Sequence, residues 1–222
     1  MRKKKNTSSA ALFFITLLLL CGMVVRCDKA EPVKVGFVGQ LTGIYSDLGV
    51  QGRNGVQLAI EQTNTENGPE GITLELIVKN DKNSVKGALE VDKQLIEQGV
   101  AAIIGHMTSA QTLGVEHFIK EQSIPLISPT ASTPLLKGKK DCIFRLNPSS
   151  DRAAGVMGGY AYNQLEEPRV AVVYDTKNQA YSLPYAKEFV RSFKRLGGEI
   201  PVQIRFSSEQ SIGWMQMIDR IE

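Results

Sequence analysis

A short apolar run, Val100 to Ile104, is followed by a loop that begins at Gly105 and then by a segment with helical spacing, Ser109 to Gln122. A strand without a polar residue is buried on both faces, as in parallel sheets that are covered by helices on each side. The helical spacing of the next segment supplies one such helix. The run therefore predicts a parallel α/β fold in which strands and helices alternate.

The same strand-then-helix unit repeats along the chain. Residues with strand character are 33–39, 72–78, 125–128, 169–174 and 199–206. Residues with helical character are 51–63, 84–96, 181–196 and the start of a helix at 210–222, together with a helix that begins at Ser150-Asp151. Strands joined by helices pair in parallel through right-handed crossovers, so we expect parallel sheets flanked by helices.

The passage Asn147-Pro148-Ser149-Ser150 interrupts this alternation. A residue before proline disfavours helix, and serine followed by aspartate is a good start for a new one. We therefore place a boundary here. The predicted organisation is a leader at 1–27, a first lobe at 28–146 and a second lobe at 147–222.

Residues 1–27 have the features of a secretory leader. A basic start, Arg2 to Lys5, precedes an apolar run, Ala10 to Leu20, that is too short to span a bilayer comfortably. Two alternatives stay open, an uncleaved membrane anchor and a lipid anchor at Cys21 or Cys27. Each of these predicts a location in the periplasm or the cell envelope.

The formal charge of +3 does not indicate a nucleic-acid partner. Five of the 26 basic residues and none of the 23 acidic residues lie within residues 1–27. The rest of the chain therefore carries 21 basic and 23 acidic residues, a net charge of −2. A basic surface for a phosphate backbone is not expected.

Two clusters of hydroxyl residues follow neighbouring predicted strands, Thr108-Ser109 and residues 130–133. In open parallel sheets, ligands bind outside the carboxyl ends of the strands, where helices begin. A helix N-terminus offers unpaired N–H groups and a partial positive charge, and a serine hydroxyl adds a donor, so a carboxylate suits this place. Two simpler alternatives remain: Ser109 only caps its own helix, or residues 130–133 are an ordinary connecting loop.

The sequence carries no motif of a familiar enzyme class. It has no GxGxxG after the first strand, no GxSxG and no P-loop. His106 and His117 are the only histidines, and a pair of His106 with Ser109 would have to share one tight turn. The histidines and cysteines do not have metal-ligand spacing. We predict no enzymatic activity, no catalytic residue, no metal and no cofactor.

Five motifs occur in one order along the chain. They are GQLTG at 39–43, GHxTSAxT at 105–112, IPLISPTAST at 124–133, FRLNPSSD at 144–151 and QAY at 179–181. Together they resemble the type I periplasmic binding proteins, and within these the branched-chain amino-acid receptors of bacterial ABC transporters. The resemblance covers residues 33–222, almost all of the chain after the leader.

The resemblance implies a two-lobe α/β fold with parallel sheets flanked by helices, which holds a small ligand between the lobes. The implied ligand-binding residues are Ser109, Thr130, Ala131, Ser132 and Tyr181. The first four would hold the carboxylate and amino groups of an amino acid, and the tyrosine would lie against the ligand. Leu48 stands where the family commonly has an aromatic residue, so the resemblance does not define the side-chain specificity.

The implied function is capture of a branched-chain or other apolar amino acid and its delivery to the membrane permease of an ABC transporter. One alternative is a sensor or regulatory module of the same fold for amides, urea or aromatic acids. The family continues beyond the point that matches Glu222, and its second half includes an acidic residue that pairs with the ligand's ammonium group. The resemblance thus implies that the second half of the fold is missing, either in a fragment of a longer reading frame or in a non-functional truncation.

Overall fold

The computed structural model describes residues 31–43, 46–66, 71–166, 168–208, 210 and 213–221. The predicted leader, with Cys21 and Cys27, lies outside these residues. The chain from Pro32 onward forms one compact unit. In the part that the structure describes, no helix has both the length and the apolar character that a bilayer-spanning segment needs.

The first part of the chain forms a five-stranded sheet in the order β2-β1-β3-β4-β5. Its strands are β1 (Val33–Gly39), β2 (Leu74–Asn80), β3 (Ala102–Ile104), β4 (Leu126–Ser128) and β5 (Ile143–Arg145). The helices between them are α1 (Asp47–Thr65), α2 (Val85–Glu97) and α3 (Ser109–Gln122). All four strand pairings are parallel, which confirms the sheet that the alternating pattern predicts.

The sequence pattern predicts no strand at Ile143–Arg145, where the structure has β5. Three residues are too few to show an alternation of apolar and polar side chains. The middle residue, Phe144, is 59% exposed, so burial gives no signal either. The strand forms through main-chain pairing with β4, including the hydrogen bond from the N–H of Leu126 to the carbonyl of Cys142.

The second part of the chain forms a two-stranded parallel sheet of β6 (Val172–Asp175) and β7 (Gln203–Phe206). Its helices are α4 (Ser150–Asn163), α5 (Gln179–Arg195) and α6 (Trp214–Ile218), and α4 packs along α5. The elements follow the predicted order. Their assignment to a second lobe that begins at residue 147 stays a prediction.

Helices cover both faces of the larger sheet, because alternate residues of a strand point to opposite faces. Val38, Ile103 and Leu126 face α2 and α3, and all three side chains are fully buried. On the opposite face, Ile104 and Ile127 line a cavity together with residues of α1. One fully buried face and one half-buried face explain why the short central strands are almost entirely apolar.

The strand order places a topological switch point beside β3. From β1 the chain moves outward to β2 and then returns past β1 to β3, so the carboxyl ends of β1 and β3 border a natural crevice. Gly105 directly follows β3 with a φ of +144°, and a Cβ there would lie 2.3 Å from the main-chain oxygen of Val38. Only glycine fits this turn, which directs the chain into the first hydroxyl cluster.

Candidate functional site

Ser109 and Ser132 connect the two hydroxyl clusters directly. Ser109 is the first residue of α3, and its buried Oγ accepts a hydrogen bond from the main-chain N–H of Ser132 at 3.3 Å. The N-cap position belongs to Thr108, whose side chain makes no capping hydrogen bond. The alternative that Ser109 only caps its own helix therefore does not describe the structure, since its hydroxyl binds the second loop.

Thr130 and Ala131 attach the second loop to the first. The hydroxyl of Thr130 donates to the carbonyl of Met107 at 2.7 Å. The N–H of the fully buried Ala131 donates to Ser128 Oγ at 3.2 Å, and that hydroxyl donates to the carbonyl of His106 at 2.7 Å. These polar groups already have partners within the protein, so the ligand contacts expected from Thr130 and Ala131 stay predictions.

Tyr181 lines the same cavity as Ser132. The cavity measures about 800 Å³, and Tyr181 contributes to it from the first turn of α5. Its ring lies 5.7 Å from that of Tyr185, centroid to centroid. Burial and the neighbouring Tyr185 raise the pKa of Tyr181, so its phenol stays neutral at physiological pH and can donate a hydrogen bond. The structure thus brings together two predicted contacts that are distant in sequence.

The rest of this cavity is formed mainly by α4 and the residues before it. Its polar members are Asn147, Ser149, Ser150 and Arg152, and its larger apolar members are Val156, Met157 and Tyr160. No acidic side chain is among the described residues that line it. With one cation and several hydroxyls, the cavity suits an anionic group better than a cationic one.

Asn178 is a contact that the sequence interpretation misses. Its side-chain Oδ1 accepts a hydrogen bond at 3.2 Å from the N–H of Ala110, in the first turn of α3. Asn178 stands at the N-cap position of α5, where an asparagine is expected to bind its own helix, but its side chain makes no such bond. The contact shows that the N-terminus of α3 accepts an electronegative atom that comes from the side of α5.

A buried ionisable cluster lies beneath the first loop. His106 Nδ1 is 3.2 Å from Asp81 Oδ2, and His106 Nε2 is 3.1 Å from Asp92 Oδ2. Burial lowers the pKa of His106, but the hydrogen bonds and charges of the two aspartates outweigh this and raise it to about 9. The ring is therefore charged at neutral pH, and neither nitrogen is available as a base for Ser109.

The sequence interpretation treats His106 as structural and does not identify its partners. The missed signal is Asp92, a carboxylate on the buried face of α2 between Ala88 and Leu95, which lie one turn away on either side. A charged residue on such a face is almost never fully buried unless it is paired. Among the described residues, no group of three or more histidine, cysteine, aspartate or glutamate side chains is arranged to hold a metal ion.

Comparison with known proteins places this geometry in a family. A sequence model described as periplasmic binding protein matches residues 32–221. The chain belongs to the periplasmic binding protein family. This confirms the resemblance that the five motifs carry.

Two curated members of the family illustrate the relationship. The leucine-, isoleucine-, valine-, threonine-, and alanine-binding protein of Pseudomonas aeruginosa is 27% identical over 175 residues, which are 78% of this chain and 46% of that protein. The Leu/Ile/Val-binding protein of Escherichia coli is 25% identical over 158 residues, 71% of this chain and 43% of that protein. The chain thus spans about half the length of the curated relatives it matches.

Solved structures of the family agree with the fold. A leucine binding protein from Thermotoga maritima superposes with a TM-score of 0.76 at 25% identity, covering 85% of this chain and 53% of that one. A solute binding protein from Rhodopseudomonas palustris, solved with 3,4-dihydroxy benzoic acid, superposes with a TM-score of 0.76 at 21% identity. This match covers 85% of this chain and 51% of that one. The predicted α/β fold of a periplasmic binding protein is therefore confirmed.

Proposed function

We propose that this chain forms the ligand-binding part of an exported solute receptor that captures an amino acid with an apolar side chain and delivers it to the permease of an ABC transporter. The observation that carries the proposal is the contact between Ser109 and Ser132 at the N-terminus of α3. Its surroundings offer hydroxyl and main-chain donors of the kind that bind a carboxylate.

The carboxylate would replace the contact between the two serines. In the free protein, Ser109 Oγ serves as the acceptor for the N–H of Ser132. When a carboxylate enters, both groups can act as donors toward it, because a serine hydroxyl can rotate and reverse its role. The partial positive charge at the start of a 14-residue helix adds to these charge-assisted hydrogen bonds.

Tyr181 would lie against the rest of the ligand from the side of α5. It shares the cavity with Ser132, and its ring supplies a flat apolar surface with a hydroxyl at one end. Motion about a hinge near residue 147 would bring this surface onto the ligand and exclude water from the hydrogen bonds. Ligand binding and closure are then one coupled event.

A second candidate ligand is an aromatic carboxylic acid. Three tyrosines, Tyr160, Tyr181 and Tyr185, line the cavity, and no acidic side chain among its described lining residues could pair with an ammonium group. Such a ligand shares the carboxylate with an amino acid and lacks the ammonium. A sensor of the same fold for aromatic acids, amides or urea would use the same serines.

The sequence of residues 1–27 and the family support export and a transporter partner as parts of this proposal. A basic segment and an apolar run precede residue 32, where the family match begins. The proposed location is the periplasm or the cell envelope, with or without a lipid at Cys21 or Cys27. The proposed partner is a permease of the kind that receives solutes from such receptors.

The test is thermal unfolding of the chain with and without candidate ligands at millimolar concentration. The panel contains the standard amino acids, hydroxybenzoic acids, simple amides and urea. Specific binding stabilises the folded state by about 2.7 kcal/mol when the ligand is at 100 times its Kd, so the unfolding temperature rises. A rise with leucine, isoleucine or valine supports the amino-acid receptor, and a rise with hydroxybenzoates alone supports the second candidate.

The panel is repeated on Ser109→Ala. A ligand that binds through its carboxylate should lose most of its stabilising effect on this variant. If no member of the panel stabilises the wild-type chain, the receptor proposal is contradicted. If a ligand stabilises both chains equally, the proposed carboxylate site is wrong even though a ligand binds.

A further inference from the structure

The ring of His106 is held between two carboxylates that lie outside the two hydroxyl-bearing loops. Both ring nitrogens face carboxylate oxygens, at 3.2 Å for Asp81 and 3.1 Å for Asp92. A neutral imidazole has one N–H donor and one lone pair, so only the protonated ring can donate to both carboxylates. Asp81 directly follows β2 and Asp92 lies on α2, and all three side chains are buried.

The main chain of His106 and of its neighbour holds the second loop. The carbonyl of His106 accepts the hydroxyl proton of Ser128, whose oxygen accepts the N–H of Ala131. The next carbonyl along, that of Met107, accepts the hydroxyl proton of Thr130. Two consecutive carbonyls of the first loop therefore help to position the second loop, which is also held by the N–H of Ser150 through the carbonyl of Ser132.

We propose that Asp81, His106 and Asp92 form a positioning element of the ligand site, which holds the two hydroxyl-bearing loops at the spacing that a carboxylate needs. The relevance of this spacing rests on the proposed function. The positioning itself is a property of the free protein. His106 acts through the loops and does not touch the ligand.

The element responds to pH through a small set of groups. The charged groups that face the imidazole are Asp81, after β2, and Asp92, on α2. From β4 and α3, the neutral hydroxyls of Ser128 and Thr112 reach the carbonyl of His106. Loss of the imidazole proton would leave a lone pair facing a buried carboxylate, which is unfavourable. Both loops should therefore loosen as the pH rises past the histidine pKa of about 9.

The decisive experiment measures amide hydrogen exchange by NMR on the chain without ligand, from about pH 7 to about pH 10, corrected for intrinsic exchange. The ring ¹⁵N signals of His106 give its titration. As His106 loses its proton, we expect the protection factors of Ala131 and Ser132 to fall. The factor by which they fall should be about ten times larger than the factor for amides in α5. Equal loss in the loops and in α5 would overturn the proposal.

A variant separates positioning from general stability. Asp92→Asn keeps an oxygen acceptor near Nε2 and removes one negative charge, so His106 should lose its proton at a lower pH and loop protection should follow. Glu90→Gln, at an exposed position of the same helix, also removes one negative charge. It should change neither the titration of His106 nor the pH dependence of loop protection. The proposal would be contradicted if, in Asp92→Asn, the titration of His106 shifted to lower pH and the loss of loop protection did not shift with it. If that variant does not fold, the wild-type series still decides.

Binding of L-leucine, measured by calorimetry over the same pH range, links the element to the ligand. We expect the affinity for L-leucine to decrease over the same pH range in which loop protection decreases. Both decreases should occur at a lower pH in Asp92→Asn than in Glu90→Gln. A loop response without any binding of L-leucine supports the positioning element and counts against the amino-acid receptor. Binding with an affinity that is indifferent to loop protection would show that the element does not serve the site.

Discussion

The hydroxyl oxygen of Ser109 accepts a hydrogen bond from the main-chain N–H of Ser132 at 3.3 Å, across 23 positions of sequence. This distance lies beyond the usual range for an N–H to oxygen hydrogen bond, so the contact is a weak one. A carboxylate would offer the same N–H a shorter and stronger bond. At this point the two loops meet through an interaction that a ligand can readily replace.

Substitution of Ser109 should separate stability from binding. Ser109→Ala removes the acceptor of the Ser132 N–H and should cost about 1 kcal/mol of unfolding free energy, whereas the loss of a charge-assisted bond should weaken ligand binding by roughly tenfold to a hundredfold. Denaturant unfolding and calorimetry measure the two effects. Asn64→Ala is the control, because Asn64 accepts the N–H of Leu74 at the start of β2, at the end of the sheet opposite the site. The control should cost about 1 kcal/mol or more without any change in affinity.

The aromatic ring of Tyr181 should contribute more to ligand affinity than its hydroxyl group does. Tyr181→Phe keeps the flat surface and should bind the ligand almost as well as the wild type, while Tyr181→Ala should bind it about tenfold or more weakly because the contact area is lost. Amide exchange in the five-stranded sheet should stay unchanged in both variants. Unaltered binding in Tyr181→Ala would remove this residue from the site, and equal losses in both variants would assign its role to the hydroxyl.

Stability should fall between neutral and alkaline pH. The folded-state pKa of His106, about 9, lies above its ordinary value of 6.5. A raised pKa stabilises the fold fully below pH 6.5, and the contribution is lost as the pH rises to 9. The expected loss is about 3 kcal/mol, measurable by urea unfolding at a series of pH values. A flat profile for the wild type would show that the buried ring is not charged.

Alanine substitution at two glycines should change the stability of the fold in opposite directions. Gly105→Ala would place a Cβ 2.3 Å from the oxygen of Val38 at a φ of +144°, so we expect a loss of about 3 kcal/mol or more together with weaker ligand binding. Gly159→Ala, within α4, would meet no atom within 4 Å and should stabilise the fold by about 0.5–1 kcal/mol. Thermal unfolding of both variants measures the difference. A stable Gly105→Ala would mean that the turn after β3 can relax.

The long strands and helices are readable from sequence because burial on one or both faces leaves a periodic pattern. The prediction of α3 at Ser109 to Gln122 agrees with the structure at both ends. The first helix begins earlier than predicted, at Asp47, because glycines at 49 and 52, which are disfavoured inside helices, interrupt the pattern in its first turns. The strand at β7 is shorter than predicted, since only Gln203–Phe206 pairs continuously with β6.

The sequence by itself determined the parallel α/β architecture, the membership in the family and the two hydroxyl clusters, because periodicity and ordered motifs are local properties. Only the tertiary structure showed that Ser109 Oγ binds Ser132, that Asn178 reaches Ala110 and that Asp92 is a partner of His106. Each of these contacts joins residues from different elements. The positions of their atoms depend on how helices pack on the sheet, and that packing is decided by the whole core.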